Sequence, residues 1–321
     1  MRRFDLKTVD DAELVFRHGE YIVLAGKHPW IFRKDGSYIA KIKRIKHAYM
    51  MVFLSQDRVL MDGGGDGFYH YVSLETGETL WSIVKKGRRY YCPVGFAVSE
   101  DNQRVCYVYR NGQDLNVDYF DLENGSATTY KIPGIKGSVY CGYCKNDGRI
   151  FLLRFWFEKT QDFNASGQQI TQKQVDIFSF DPISSLITWE HRWQNNDVFS
   201  DMVCCFNEQF VLLKNLHAVK ISTLEVTDLI ENSPQVQHPN GGLTVVDYDP
   251  CTNILTVWLT ATCSTLLIDC KNRKIVSHYL PISRGLSSGR LIDGEFWMGT
   301  YDGIGKKPFP KMEPFPKELL R

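Results

Sequence analysis

The residues best suited to binding are basic side chains interleaved with histidine and tyrosine. Two runs are the clearest, residues 43–47 (KRIKH) and residues 85–89 (KKGRR), and tyrosines follow both. Arginine can hold a carboxylate or phosphate through two parallel hydrogen bonds, and arginine and tyrosine are enriched where protein surfaces bind. These runs predict a surface for an acidic partner, with plainly solvated loops as the alternative.

Three other patterns have both a chemical and a structural interpretation. Cys141 and Cys144 have the spacing of a redox or metal pair, but in a strand, positions three apart face opposite sides. Residues 162–167 resemble the start of a calcium loop, but Lys173 stands where a glutamate is needed, which favours a hairpin tip. The glycine-rich run 62–67 joins two strands and opens no helix, so it is interpreted as a flexible connection rather than a phosphate cradle. No catalytic residue, metal or cofactor is predicted.

The elements that position these residues recur seven times, each as two strand-like hairpins. The clearest unit has runs at 50–54, 58–63, 68–74 and 78–84. An all-strand repeat of about 40 to 50 residues predicts an all-β fold, a seven-bladed β-propeller. The predicted propeller domain covers residues 1–304 and a Pro-rich tail covers 305–321. The last unit lacks a clear fourth strand, so an N-terminal strand, Arg2 to Lys7, is expected to close it; a six-bladed arrangement is the alternative.

Propeller topology sorts the connections between strands by face. The connection from one blade to the next lies on the same face as the connection between the second and third strands of a blade. Both basic runs fall on that face, whereas acidic first turns such as Glu20, Asp57 and Glu100 fall on the opposite one. The candidate partner-binding or ligand-binding residues are His47, Tyr49, Lys85, Lys86, Arg88, Arg89, Tyr91, Tyr140, Asp201 and Arg290.

One repeat also resembles a known class of propeller. The run YVSLETGETLW contains a Thr76-Gly77 turn followed by Trp81, with one extra residue before the tryptophan. It is similar to the motif of quinoprotein-like propellers, in which the tryptophan docks between blades, and Trp189 marks a weaker copy. The Gly-His and Trp-Asp pairs of WD40 repeats do not occur. The resemblance implies a propeller of the quinoprotein-like or WD40-like type and carries over no catalytic residue.

Composition limits the classes of function. The net charge of +1 argues against a general nucleic-acid binder, and no apolar run is long enough to span a membrane. Nine scattered cysteines and an N-terminus without an apolar segment predict a cytoplasmic protein. The leading hypothesis is a non-enzymatic interaction scaffold whose basic, aromatic-rich face binds a protein or acidic peptide, or a small anionic ligand at the channel mouth. The alternative is a lyase or hydrolase with a multi-blade active site at that mouth.

Overall fold

A computed structural model describes residues 9, 12–55, 57–85, 91–99, 101–193, 203–206, 209–212, 216–220, 223–231, 243–259, 264–279, 286–300 and 303–308. These residues form 27 β-strands in seven sheets, and the strand order in every sheet follows the chain. The described part of the chain contains no helix that could cross a membrane. The fold divides into two compact units, Met1–Lys86 with Asp228–Arg321, and Gly87–Thr227.

The first unit contains four sheets. The first sheet consists of β1 (Ala12–His18), β2 (Tyr21–Gly26), β3 (Trp30–Arg33) and β4 (Tyr38–Lys41). The second consists of β5 (Met50–Ser55), β6 (Arg58–Gly63), β7 (Phe68–Ser73) and β8 (Thr79–Val84). The sixth consists of β21 (Leu243–Asp249), β22 (Ile254–Leu259), β23 (Ser264–Asp269) and β24 (Lys274–Tyr279), and the seventh of β25 (Leu286–Ile292), β26 (Glu295–Thr300) and β27 (Gly303–Pro308).

The second unit contains three sheets. The third sheet consists of β9 (Tyr91–Val98), β10 (Val105–Asn111), β11 (Asp114–Asp121) and β12 (Ser126–Ile132). The fourth consists of β13 (Ser138–Cys144), β14 (Ile150–Phe163), β15 (Gln169–Asp181) and β16 (Leu186–Trp193). The fifth consists of β17 (Val203–Phe206), β18 (Gln209–Leu212), β19 (His217–Lys220) and β20 (Glu225–Asp228), whose last residue belongs to the first unit.

Within each unit, the sheets pack face to face and the first strands of successive sheets are neighbours. In the first unit β25 contacts both β21 and β1, and in the second β13 contacts both β9 and β17. Val15 and Trp297 share one apolar cluster between the first and seventh sheets, while Ile45 and Val72 share another between the first and second. This packing of four-stranded, up-and-down sheets through apolar faces is the blade arrangement of a β-propeller.

The blade count differs from the expectation in one respect. Six sheets have four strands, and the seventh has three among the described residues. The structure therefore shows six complete blades, and seven complete blades are not confirmed. The predicted closing strand, Arg2 to Lys7, lies outside the described residues. At the other end, β27 continues to Pro308, beyond the predicted domain boundary at residue 304.

The hairpin tip predicted at residues 162–167 lies at the end of two long strands of the fourth blade. β14 and β15 pair from Ile150 with Phe180 out to Phe163 with Gln169. At the tip, the Asn164 side-chain oxygen accepts hydrogen bonds from the backbone N–H groups of Ser166 and Gln168, at 3.1 and 2.9 Å. The hairpin tip expected here is confirmed, and the turn itself occupies an oxygen that a calcium ion would need.

A recurring aspartate shapes the second turn of several blades. β11, β15 and β23 each end on an aspartate, Asp121, Asp181 or Asp269. Each carboxylate accepts hydrogen bonds from the following turn; Asp121, for example, accepts the backbone N–H of Asn124 at 3.0 Å and its side-chain amide at 2.6 Å. Such local bonds stabilise turns. These exposed carboxylates therefore have structural roles.

Candidate functional site

The basic connection between β4 and β5 is fixed on one face by backbone hydrogen bonds. The His47 N–H donates to the Lys27 carbonyl at 3.0 Å, and the Gly65 N–H donates to the Lys46 carbonyl at 3.0 Å. These bonds join the inter-blade connection to the β2–β3 and β6–β7 connections. For the first two blades, the contacts thus agree with the face predicted from propeller topology.

The glycine-rich turn after β6 lies close to this connection. A Cβ atom at Gly65 would collide with the His47 ring, and one at Gly64 would lie 3.0 Å from the His47 carbonyl oxygen. Asp66 closes the turn, since its carboxylate accepts the N–H groups of Lys46 and Phe68, both at 2.9 Å. Glycine is required here for close backbone approach. As predicted, the run joins two strands, and hydrogen bonds tie it to the basic connection.

Three cations project from the connection into solvent. Lys43, Arg44 and Lys46 are exposed, and in the described part of the chain none of them has a carboxylate ion-pair partner. The Arg44 guanidinium donates to the Thr79 hydroxyl at 3.0 Å and to the Thr79 carbonyl at 3.3 Å. Arg44 is therefore held at the outer strand of the second blade, where its charge faces solvent.

A groove runs beside these cations, between the outer strands of the first two blades. It measures about 570 Å³, and its lining includes Lys41, Lys43, Arg44, Glu78, Thr79 and Leu80. β4 has four residues and β8 has six, so the outer edge of the first blade is the shorter. Leu80 is 47% exposed. The groove, called here the basic groove, combines cations with an exposed apolar side chain and with β8, which is the last strand of its sheet among the described residues.

The predicted aromatic component is present at one residue of this surface. Tyr49 is 38% exposed, and its ring centroid lies 5.9 Å from that of His47. The His47 Nδ1 and Tyr49 hydroxyl are 3.5 Å apart. His47 and Tyr49 therefore form an exposed pair next to Lys46, as the sequence predicted for a binding rim.

Two predicted site residues are buried instead of presented to solvent. Lys85 is 5% exposed; its ammonium pairs with the Asp62 carboxylate and donates to the Gly63 carbonyl at 3.1 Å. Arg290 is also 5% exposed and pairs with Asp247. Burial raises the pKa of the Asp247 carboxyl, although Arg290 opposes that shift. The expected exposed positions of Lys85 and Arg290 are corrected: both are held by carboxylates from neighbouring strands.

The side chains of the remaining candidates lie outside the described structure. The backbone of Tyr91 lies in β9 and that of Tyr140 in β13, and both belong to the second unit. The predictions for four other residues, and for the side chains of these two tyrosines, lie outside the described structure; the four are Lys86, Arg88, Arg89 and Asp201.

A polar chain that the sequence motifs did not reveal lies beside the basic groove. The Ser82 hydroxyl is 2.9 Å from His70 Nδ1, and His70 Nε2 is 3.1 Å from a carboxylate oxygen of Asp66. Burial lowers the pKa of His70, despite the opposing effect of Asp66. Ser82 and His70 are directly opposite in the β7–β8 ladder. The turn at 75–77 alone would place Trp81 opposite His70. A β-bulge beside the turn shifts the register by one residue and places Ser82 there, so no local signal in the sequence paired the two residues.

The second unit contains another charged cluster, around Asp176 in β15. This fully buried carboxylate accepts hydrogen bonds from both Arg154 and Arg192, and from the Trp156 indole at 2.9 Å. A cavity of about 320 Å³ lies beside it, lined by Asp176, Trp189, His191 and Arg192. The carboxylate is surrounded by donors and the arginines stack on tryptophan, with Arg154 4.5 Å from the Trp189 ring. The cluster connects the strands of the fourth blade.

No group of three metal-ligating side chains occurs in the portion of the chain that the structure describes. Comparison of the whole sequence gives no matching protein-family model and no matching curated protein. Function must therefore be argued from the fold and the local geometry.

Solved structures similar to this chain include named β-propellers. The propeller domain of Cps50 (Swd1) from Myceliophteria thermophila gives a TM-score of 0.60 at 8% identity, covering 93% of this chain and 97% of that one. The Dos1 propeller gives 0.50 at 9% identity, with coverages of 92% and 77%. The computationally designed protein Ika8 gives 0.56 at 12% identity, with coverages of 95% and 99%. At these identities the likeness shows the fold alone: the chain is a β-propeller, as the WD40-like resemblance implied.

Proposed function

We propose that this β-propeller is an interaction scaffold that binds an acidic peptide segment of a partner protein along the basic groove. The observation that carries the proposal is the row of exposed cations, Lys43, Arg44 and Lys46, beside an exposed leucine and the outer edge of β8. An extended peptide can add to such an edge through its backbone while its alternate side chains contact the groove. Propellers commonly serve as interaction scaffolds, which agrees with this assignment.

Charge and shape favour a peptide over nucleic acid. The protein has a net charge of +1, so the basic groove is a local feature without a supporting long-range field. Leu80 is 47% exposed and Tyr38 at the neighbouring edge is 56% exposed, which suits a segment carrying apolar as well as acidic side chains. The occupant that these features favour is therefore a short amphipathic, acidic strand.

The proposal also takes the seventh sheet as an incomplete seventh blade, which the N-terminal strand Arg2 to Lys7 completes. Its support is the position of β1, which begins at Ala12 and contacts all three strands of the seventh sheet. β1 therefore begins beside that sheet. Completion by an N-terminal strand would cover the free edge of β27.

The binding test compares wild type with Lys43→Glu/Arg44→Glu/Lys46→Glu. The matched control, Lys220→Glu/Lys271→Glu/Lys274→Glu, changes the net charge equally at exposed lysines on other blades. The probe is a fluorescein-labelled peptide in which glutamate alternates with leucine, and fluorescence anisotropy gives its Kd. We expect the groove variant to weaken binding at least about tenfold, since about 1.4 kcal/mol lost among three charge contacts is sufficient. The control should stay within about twofold, because none of its three lysines lines the groove.

Two results would reject the proposal. One is equal weakening by both variants, because that would reduce the effect to net charge. The other is no measurable binding of the peptide to wild type at low salt. If the groove variant alone weakens binding, cross-linking of wild type in source-cell lysate, with mass spectrometry of the attached peptides, would identify the partner segment at the groove.

A further inference from the structure

The hydrogen-bonded chain beside the basic groove has the parts of an activated serine. Ser82 lies in β8, the outermost strand of the second blade, and is exposed to solvent. Behind it, His70 is 4% exposed. A reactive hydroxyl must be reached by substrate, whereas its base is best held in a rigid interior position. Ser82 and His70 meet these two requirements.

The protonation pattern follows from the hydrogen bonds. The Asp66 carboxylate already accepts N–H groups from Lys46 and Phe68, so it acts as an acceptor toward His70 Nε2 as well. Nε2 therefore carries the proton, and Nδ1 accepts from the Ser82 hydroxyl at 2.9 Å. The ring nitrogens are exchanged relative to the serine-protease arrangement. The roles are retained, because either nitrogen of a neutral imidazole can act as the base.

The charges around His70 keep it available as a base. The groups that face it are Asp66 from the β6–β7 turn, Arg44 from the β4–β5 connection, and Lys85 after β8. Burial is the largest effect and lowers the pKa of His70; Arg44 and Lys85 act in the same direction, while Asp66 opposes them. The imidazole is therefore neutral near pH 7, as a general base requires.

We propose that Ser82 is the nucleophile of an ester-hydrolysing site, with His70 as general base and Asp66 as the positioning carboxylate. Leu80 and Ser82 are both exposed residues of β8, and Leu80 lines the basic groove together with Arg44. The substrate class is a small ester whose acyl group carries a carboxylate that Arg44 binds. This activity goes beyond the proposed peptide docking, and it shares Arg44 and Leu80 with the basic groove.

The reaction balances with water as the only co-reactant. Ser82 Oγ attacks the ester carbonyl carbon while its proton passes to His70 Nδ1, and the carbonyl oxygen becomes an oxyanion. Collapse expels the alcohol, which takes the proton from Nδ1 and leaves an acyl-serine. Water then attacks the acyl carbon through the same base, releasing the acid and restoring the Ser82 hydroxyl.

The test uses the intact chain and a fluorophosphonate, which forms a stable phosphonyl ester with an activated serine. We expect one adduct by intact mass, mapped by peptide sequencing to Ser82. The adduct should disappear in Ser82→Ala and persist in Ser184→Ala, a control at an exposed serine of another turn. No adduct on wild type, or the same adduct on Ser82→Ala, would overturn the proposal. The hydrogen bonds of Ser82, His70 and Asp66 would then have a structural role only.

A second measurement checks the base and the substrate class. Hydrolysis of p-nitrophenyl succinate should exceed that of p-nitrophenyl acetate, and Arg44→Gln should remove that preference, measured as the ratio of the two rates in the same variant. The rate should rise with pH through one ionisation below the ordinary histidine value of about 6.5. A rate independent of pH across that range would exclude His70 as the base, and an unchanged preference in Arg44→Gln would exclude the substrate class.

Discussion

Breaking the buried pair of Lys85 and Asp62 is expected to be costly, although the sequence pattern predicted that Lys85 is exposed on a binding surface. The exposed fractions of the two side chains are 5% and 6%, so both members of the pair are buried. Removing one partner of a buried pair typically costs about 3–5 kcal/mol, because the other charge stays in the interior without compensation. Exposed pairs contribute only about 0–1 kcal/mol. We therefore expect Lys85→Met to lower the free energy of unfolding by about 3–5 kcal/mol.

The chain offers a matched control for this substitution. Lys131 pairs with Asp114 at 2.7 Å, with exposed fractions of 58% and 46%. Lys131→Met should change stability by at most about 1 kcal/mol. The double variant Lys85→Met/Asp62→Leu should recover most of the loss, because replacing both members of a buried pair by apolar groups is often neutral.

Urea unfolding followed by tryptophan fluorescence measures all three variants against wild type. The reasoning depends on the order of the costs: Lys85→Met should be the largest, with the double variant and Lys131→Met near wild type. If Lys85→Met costs no more than Lys131→Met, the Lys85 side chain is solvated and its predicted position on a binding face is restored. If the double variant costs as much as Lys85→Met, lost packing and not the uncompensated carboxylate is the cause.

Two further predictions concern the turns and the seventh sheet. The Asn124 side-chain and backbone hydrogen bonds lower the pKa of Asp121 in the folded protein. The ionised Asp121 carboxylate therefore stabilises the fold above the unfolded pKa of about 3.9, and this stabilisation is lost as pH falls through the folded value. The thermal midpoint of wild type should exceed that of Asp121→Asn at pH 7, and a difference that persists at pH 2 would contradict this. Deleting residues 2–7 should lower the thermal midpoint, because β27 would lose its predicted partner strand; an unchanged midpoint in differential scanning calorimetry would refute closure by the N-terminal strand.

The local pattern of the second repeat was sufficient to predict its strands. The predicted runs at 58–63 and 68–74 correspond to β6, Arg58–Gly63, and β7, Phe68–Ser73. Turn residues explain this accuracy, since Gly77 has a φ of 73°, which glycine adopts readily. Such preferences act over a few residues, so a single chain displays them directly.

The surface was predicted only in part. The polar residues of the 43–47 run and Tyr49 are exposed as expected, whereas the apolar residues of the same connection are buried, namely Ile42, Ile45 and Ala48. Lys85 is buried, contrary to the prediction that it is exposed. Its burial depends on Asp62, 23 positions away in sequence. Charge alone cannot show whether a lysine meets water or a carboxylate, because the partner is brought by strand register.

Sequence by itself determined the all-β class and the repeat, because alternation and turn chemistry are local properties of the chain. Tertiary structure decided which polar residues meet. Ser82 opposes His70 only through the β7–β8 register. Asp66 reaches both His70 and the Lys46 backbone only because the glycine-rich turn packs against the β4–β5 connection. Sites assembled across strands have no linear pattern, since their geometry arises from pairing and packing rather than from neighbouring residues.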